Sequence, residues 1–207
     1  TEHGLQRVRQ EGLEHVSLDV PETVVEAVTP ARRGGVWACS RNGRLFHVAS
    51  DGTITRHPLP ASPGIRVQKL LEDHEGTLWI GTQSHGALRM VGDALSTMGA
   101  GQGLGSDSVE SLMEDSEGNV WVGTEGGGLH RFNQGPALPF GLSEGLPVNN
   151  VSAVFEDADG DVWIGTLGAG VVRRSNGRFT TFGPEQGLGA RHIRSIGQSQ
   201  DGSLWFG

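Results

Sequence analysis

The sequence predicts an all-β protein, a β-propeller built from blades of 42 residues. Two observations carry this prediction. The chain has five tryptophans, and each lies 42 residues after the one before it: Trp37, Trp79, Trp121, Trp163 and Trp205. Each follows a glycine by three residues, and the surrounding stretch repeats a turn and a short apolar strand, as in DADGDVWIGT at 157–166. A constant period of about 40–45 residues with strand-like units is typical of propeller blades.

The repeat unit divides into an inner strand, a turn and a buried strand. Apolar residues such as Val109 and Leu112 lie 12 and 9 positions before the Trp, which is typical of a strand packed from both sides. Asp at the first position of a four-residue turn and Gly at the last favour a type I turn between antiparallel strands. The Trp strand has three apolar residues in succession, which predicts burial on both faces.

Two further strands complete each predicted blade. Gly-rich segments at 82–88, 124–130 and 166–172 lead into a third strand. A fourth strand ends near Met98, Phe140 and Phe182, each 19 residues after a Trp. Four short antiparallel strands in one repeat make a propeller blade.

The two ends of the chain predict a fifth blade that they share. The last repeat stops at Gly207, where the others continue with a Thr, and the chain begins with TEHGLQRV. Joined head to tail, these segments restore the motif. We therefore expect one domain over residues 1–207, a ring of five blades in which residues 1–20 are the outer strands of the closing blade. Such closure would pair edge strands that otherwise favour aggregation.

Composition excludes several classes of partner. The formal net charge is −8, and Lys and Arg form no run, so nucleic acid is not an expected partner. We expect no signal peptide and no membrane contact by this segment, because the sequence has no long apolar run. We also expect a monomer, with the single Cys39 as a buried strand residue rather than a reactive thiol.

Neither a metal nor a cofactor is expected. The acidic stretch at 157–161 has oxygen ligands of the kind that calcium binds, but it lacks the distal Glu of a calcium loop, so we interpret it as a hairpin turn. The eight His residues show no zinc-ligand spacing. The Trp residues are expected to pack between blades rather than to form a stacking surface for a ligand.

The stretch GLPVNNVSAVFEDADGDVWIGTLGAGVVRR at 145–174 resembles the two-component regulator propeller repeat. This repeat occurs in the extracytoplasmic sensor regions of bacterial hybrid histidine kinases. The first copy departs from the pattern, with Ala38, Cys39 and Ser40 in place of an apolar residue, Gly and Thr. The resemblance implies a non-catalytic sensor that is periplasmic or extracellular in its parent protein. Because such sensors usually have seven blades, we expect a piece, or an engineered or reduced form, of one.

Candidate ligand-binding residues lie where the sequence varies while the repeat holds. Loops at one end of the strands carry polar side chains on a rigid frame, which is where binding sites usually lie. We expect a small polar or carbohydrate-like ligand there. An alternative stays open, in which Asp107 and Asn149 only bond their own turns. The candidates are Arg66, Gln83, Asp107, Glu125, Asn149, Arg191 and His192.

Two other functions are compatible with the sequence. Streptogramin lyases are seven-bladed propellers with a Trp-Phe pair in the repeat, which DGSLWFG at 201–207 resembles. A lyase-like enzyme is therefore one alternative. The Thr that follows Trp-Ile-Gly or Trp-Val-Gly in three copies departs from that pattern. A scaffold without a small ligand is the other alternative.

Overall fold

The computed structural model describes residues 5–9, 12–18, 24–41, 43–59, 65–133 and 136–207. In these ranges the chain is all β, with twenty strands and three 3-10 helices. Four antiparallel sheets have four strands each, and two more are hairpins near the ends of the chain. The predicted all-β fold with four-stranded blades is confirmed.

Each four-stranded sheet is one blade, with its strands in chain order. The first blade has β3 (Val25–Pro30), β4 (Val36–Ser40), β5 (Leu45–Val48) and β6 (Ile54–His57). The second has β7 (Val67–Glu72), β8 (Leu78–Thr82), β9 (Ala87–Val91) and β10 (Ala94–Met98). The third has β11 (Val109–Glu114), β12 (Val120–Thr124), β13 (Gly128–Phe132) and β14 (Leu138–Phe140). The fourth has β15 (Val151–Glu156), β16 (Val162–Thr166), β17 (Val171–Ser175) and β18 (Arg178–Phe182).

Short segments complete the described secondary structure. The N-terminal hairpin is β1 (Leu5–Arg9) with β2 (Gly12–Val16), and the C-terminal hairpin is β19 (Ile196–Gln198) with β20 (Leu204–Phe206). The 3-10 helices are Ala100–Gln102, Leu142–Glu144 and Pro184–Gln186, one after each of the last three blades.

The first strand of each blade is the innermost one. β3 packs against β7, β7 against β11, β11 against β15, and β15 against β19. All four inner strands of the blades carry a β-bulge 11 residues before the Trp, where the pairing register shifts. A bulge re-aims the side chain at that position. The bulged residues are Glu26, Gln68, Glu110 and Ser152.

The core lies between neighbouring blades. Every residue of β8, β12 and β16 is buried, as the run of apolar residues predicts. Trp79 packs with Val109 and Phe132 of the next blade. The Gly two residues after the Trp is required by this close approach, since a Cβ on Gly81 would lie 2.7 Å from Val109 Cγ1. In the first blade Cys39 takes that place, fully buried, and burial raises the pKa of its thiol to about 12.

The predicted turn before the Trp strand is confirmed. Asp115 Oδ1 accepts hydrogen bonds from the backbone N–H groups of Glu117 (3.1 Å) and Asn119 (2.7 Å). Gly118 closes the turn with a φ of 80°, in the left-handed region that glycine favours. The same backbone bonds recur around Asp73 and Asp157.

Each terminal hairpin is held by the blade beside it. In the N-terminal hairpin, Leu5 and Val16 pack with Phe46 and Val48 of the first blade. The C-terminal hairpin places Phe206 5.7 Å from the Trp163 ring of the fourth blade. The two hairpins form separate sheets, so the described residues contain four complete blades. The count of five and the shared closing blade therefore stay predictions. Residues 1–4, which a closed ring would place beside Gly207, lie outside the described ranges.

The expectation that every Trp packs in the core is wrong for Trp205. This side chain is 68% exposed, whereas Trp121 is 1% exposed. Trp205 lies in β20, which pairs with β19 alone among the described strands. In the part of the chain that the structure describes, this strand therefore has no outer strands of the kind that flank the Trp strands of the blades. In the described residues, no helix has the length and hydropathy needed to cross a membrane.

Candidate functional site

The predicted ligand-binding residues share one face of the molecule. The backbone N–H of Gln83 donates to the carbonyl of Arg66 (2.9 Å), and that of Glu125 donates to Ser108 (3.0 Å). These bonds join the loop after the Trp strand to the loop entering the inner strand of the same blade. We call this end the loop face. The opposite end, which carries the Asp-containing turns, is the turn face.

Neighbouring blades are also joined on the loop face. Gly86 donates its N–H to the carbonyl of Asp107, Gly128 to that of Asn149, and Gly170 to that of Arg191, over 2.8–2.9 Å. Three of the predicted residues therefore link one blade to the next through their backbones. These bonds hold the loops rigidly.

Arg66 belongs to a charged cluster that spans the first two blades. Glu26 Oε2 is 3.3 Å from Arg66 Nε, and Glu26 Oε1 accepts a hydrogen bond from Arg41 Nε at 2.7 Å. Burial alone would raise the pKa of Glu26, but the bonds from Arg41 and Arg66 outweigh it and hold the pKa below its usual value. The side chains of Arg41 and Arg66 remain more than half exposed. A polar ligand on this face could therefore reach them.

A second polar group lies in the third blade. Ser108 Oγ is within hydrogen-bond distance of Glu110 (3.2 Å) and of the predicted residue Glu125 (3.4 Å). Sequence reasoning missed Glu26, Arg41 and Glu110. For Glu26 and Glu110 the signal was a polar or charged residue 11 positions before each Trp, between two apolar positions of the inner strand; Arg41 lies outside this pattern.

Asp107 and Asn149 bond the loops in which they lie. Asp107 Oδ1 accepts the N–H of Ala100 at 2.8 Å, and Asn149 Oδ1 accepts the N–H of Leu142 at 3.1 Å. Each acceptor holds the first residue of a 3-10 helix. These hydrogen bonds therefore support the alternative in which the two side chains stabilise their own turns.

The remaining candidates are more dispersed. The side chains of Arg191 and His192 are exposed, and His192 forms an isolated bridge to Leu167 of the fourth blade. Across the described residues, no hydrogen bond or ion pair joins the side chains of two of the seven candidates. The structure thus places them on one face without gathering them into one cluster.

A cleft on the loop face lies between the second and third blades. Its volume is about 280 Å³. Ile65 and Leu88 form an apolar floor. Ser84 Oγ and His85 Nδ1, which are 3.1 Å apart, lie on one side. Gln102 and the predicted residue Asp107 complete the polar lining.

On the turn face, the turn Asp of the second, third and fourth blades also accepts a hydrogen bond from the Trp of its own blade. Asp115 Oδ2 accepts the indole N–H of Trp121 at 2.6 Å. The same bond forms from Trp79 to Asp73 at 2.7 Å and from Trp163 to Asp157 at 2.6 Å. Sequence reasoning assigned the Asp to the turn alone. The constant six-residue spacing between Asp and Trp was the signal for this bond.

A second set of hydrogen bonds on the turn face joins neighbouring blades. From Trp79 onward, the residue seven positions before the Trp accepts the backbone N–H of the second turn residue of the preceding blade. Glu114 accepts it from His74 at 2.8 Å, and Glu156 accepts it from Ser116 at 2.7 Å. Within the part of the chain that the structure describes, no group of three His, Cys, Asp or Glu side chains could hold a metal ion.

The comparisons with known proteins agree with this geometry. The model of the two-component regulator propeller repeat matches the chain at residues 61–84, 103–126 and 145–168. These repeats fall around the Trp strands of the second, third and fourth blades. No curated protein matches the chain.

Several solved structures share the fold. A streptogramin B lyase structure aligns with a TM-score of 0.79 at 18% identity, over 99% of this chain and 69% of that chain. Virginiamycin B lyase from Staphylococcus aureus aligns at 0.70 and 20% identity, over 88% of this chain and 62% of that chain. The extracellular domain of a hybrid two-component system from B. thetaiotaomicron aligns at 0.71 and 17% identity, over 89% of this chain. The present chain spans 28% of that domain's chain. Identities this low show the fold alone.

Proposed function

We propose that this propeller is a non-catalytic sensory module that binds a small polar or carbohydrate-like ligand on its loop face. The loop-face cleft between the second and third blades carries the proposal. It offers a hydroxyl, an imidazole and an amide above the apolar floor of Ile65 and Leu88. An apolar surface with a few converging polar groups is the usual construction of a small-molecule site.

The repeat family supports the sensory assignment. Matches to the two-component regulator propeller repeat include the first two strands of three blades, and the B. thetaiotaomicron structures with this fold are extracellular domains of two-component systems. We propose that the parent protein places this segment in the periplasm or outside the cell. Its net charge of −8 disfavours nucleic acid as a partner. We further propose that the segment acts as a monomer, without a cofactor.

The lining of the cleft favours binding over catalysis. Gln102 Oε1 accepts the N–H of Gly99 at 2.9 Å, and Asp107 Oδ1 is held by Ala100. Both groups are committed to loop backbone. In the described residues, no carboxylate hydrogen bonds the His85 ring, so the Ser84 and His85 pair lacks the third group that orients a catalytic base.

The test uses the purified chain on an array of monosaccharides and disaccharides, followed by calorimetry with the strongest binder. The double variant Ser84→Ala, His85→Ala removes the polar wall and should weaken binding at least tenfold without changing the Tm. Ser143→Ala, an exposed loop-face change beside the fourth blade, is the matched control and should bind like the wild type. Absence of binding on the array, or unchanged affinity in the double variant, would contradict the proposal.

A lyase-like enzyme is the second candidate, favoured by the TM-score of 0.79 to streptogramin B lyase. A virginiamycin B lyase structure from S. aureus contains quinupristin, which supplies a substrate probe. We expect quinupristin to remain intact after incubation with the chain, as measured by mass spectrometry. Turnover would replace the sensory proposal by an enzymatic one. Neither binding nor turnover would favour the scaffold.

A further inference from the structure

The first blade lacks a contact that the other three blades make on the turn face. In those blades, an Arg located ten residues after the Trp lies over the indole ring. The guanidinium carbon is 4.7 Å from the ring centroid for Arg89 and 5.7 Å for Arg131 and Arg173. In the first blade His47 occupies this position, with its ring 4.9 Å from that of Trp37. A cation over a Trp face is attracted by the ring quadrupole.

Two more substitutions surround Trp37. Ala31 stands where the other blades have the turn Asp, so the indole N–H of Trp37 donates to Glu72 Oε2 of the second blade at 2.9 Å. His57, 4.9 Å from Trp37, takes the place of Phe140 in the third blade, as the strand pairing shows. Three partners of the repeat have therefore been replaced around one Trp.

These replacements open the cleft between the first and second blades. Its volume is about 670 Å³. The equivalent turn-face cleft between the second and third blades, which Arg89 lines, has a volume of about 140 Å³. Trp37 is half-buried, and Trp79 is 2% exposed. The larger cleft is therefore the one beside Trp37, where His47 stands in place of the Arg.

The lining of this cleft suits a positively charged group. Glu72, Glu75 and Asp93 contribute carboxylates. Burial lowers the pKa of His57, although nearby Asp93 opposes the shift, so the site disfavours a positive charge on this imidazole. Arg32 is drawn away from the ring, because its Nε donates to the Asp73 carbonyl at 2.6 Å. Among the described residues, no Arg or Lys lies over the Trp37 ring.

We propose that the turn-face cleft between the first two blades binds a small molecule that carries a guanidinium or ammonium group. The cation would lie against Trp37, where the other blades place their own Arg. Glu72 is the nearest fixed carboxylate, because the Trp37 indole and the Arg32 backbone N–H, each 2.9 Å away, hold it in position. Arg32 and Arg33 at the rim would suit the carboxylate of an amino acid. This site is independent of the loop-face cleft.

The experiment uses L-arginine as the probe and L-citrulline as its uncharged counterpart of nearly the same shape. Calorimetry on the full chain should show L-arginine binding at least tenfold more tightly than L-citrulline. His47→Arg restores the residue type of the other blades and should remove arginine binding by filling the site, with an unchanged or higher Tm. Trp37→Phe, which keeps an aromatic ring but loses the Glu72 bond, should weaken arginine binding at least threefold.

The loop-face double variant Ser84→Ala, His85→Ala is the control, and it should bind L-arginine like the wild type. Equal affinity for L-arginine and L-citrulline would overturn the proposal, and so would unchanged arginine binding in a folded His47→Arg protein. Binding of cellobiose that is lost in His47→Arg, without arginine binding, would identify a sugar site and also overturn it. Loss of arginine binding in the loop-face variant would place the cation on the other face.

Discussion

The first blade and the third blade hold the same Trp by different means. In the third blade, Asp115 of the same turn accepts the indole N–H of Trp121, and Arg131 lies over the ring. In the first blade, Glu72 of the neighbouring blade accepts the indole N–H of Trp37, and His47 replaces the Arg. The comparison teaches that the turn Asp decides which blade supplies the acceptor of the Trp indole. Where Ala31, His47 and His57 replace the Asp, the Arg and the Phe of the third blade, a cleft opens.

The largest effect is expected from truncating the Trp residues. Trp121→Ala should cost about 3–5 kcal/mol of unfolding free energy, as for other large buried aromatic side chains. Trp37→Ala should cost less, because its ring is only half-buried. Trp205→Ala should stay within about 0.5 kcal/mol, the usual range for surface changes. Urea unfolding of the three variants measures the series. Equal losses at Trp121 and Trp205 would contradict the burial pattern.

Removal of the turn Asp comes next. Asp115 is buried and accepts bonds from two backbone N–H groups, the Asn119 amide and the Trp121 indole. Asp115→Ala leaves buried donors without an acceptor and should cost about 2–3 kcal/mol. The matched control is Ser199→Ala in the C-terminal hairpin. Ser199 accepts the indole N–H of exposed Trp205 at 3.2 Å, and its loss should be small. Similar losses in both variants would argue against a special role for the buried pair.

A smaller effect is expected at His130, which has a polar side chain where the second blade has Leu88. His130 is 1% exposed, its Nδ1 has no hydrogen-bond partner, and burial lowers its pKa. The unfolded chain therefore binds more protons than the folded chain below about pH 6.5, and stability falls as the pH drops from there. His130→Leu should gain about 1 kcal/mol, roughly 2–4 °C in Tm.

The pH dependence tests the cause of that gain. The Tm difference between pH 7.5 and pH 5.0 should be smaller in His130→Leu than in the wild type. Some acid sensitivity should remain, since burial also lowers the pKa of His57. A Tm difference between the two pH values that is unchanged by the substitution would show that His130 does not contribute.

The smallest change restores the turn Asp to the first blade. Ala31→Asp can accept the N–H groups of its own turn, which should add about 0.5–1 kcal/mol. The gain is limited because Glu72 already holds Trp37. Thermal unfolding measures it, with Ala31→Leu as a control that adds a side chain without an acceptor. Destabilisation by Ala31→Asp would mean that the first blade has a different turn geometry.

The strands of the blades could be predicted from the sequence, whereas the clefts between blades could not. Strand order and the Asp turn arise from local contacts that recur every 42 residues. The bulge at Glu26 was not evident, because a polar residue in a strand does not reveal a register shift. Asp107 was found, but its bond to Ala100 was left as one of two alternatives.

Features that depend on pairs of blades were the hardest to predict. The cleft at Trp37 results from substitutions at Ala31, His47 and His57, whose combined effect on volume requires the packing of two blades. Ring closure depends on the rotation from blade to blade, which a repeated local pattern does not determine. Trp205 was accordingly expected to be buried, and its side chain is 68% exposed.

A double-mutant cycle tests most directly the claim that the second, third and fourth blades are each stabilised by the bond between their own turn Asp and Trp. Trp121→Phe keeps an aromatic ring and removes the N–H, and Asp115→Ala removes the acceptor. Urea unfolding of the wild type, the two single variants and the double variant gives the coupling free energy. We predict a coupling of about 1–3 kcal/mol, in the range for contacting buried groups. Additivity within about 0.3 kcal/mol would show that the two side chains stabilise the blade independently, and would contradict the account.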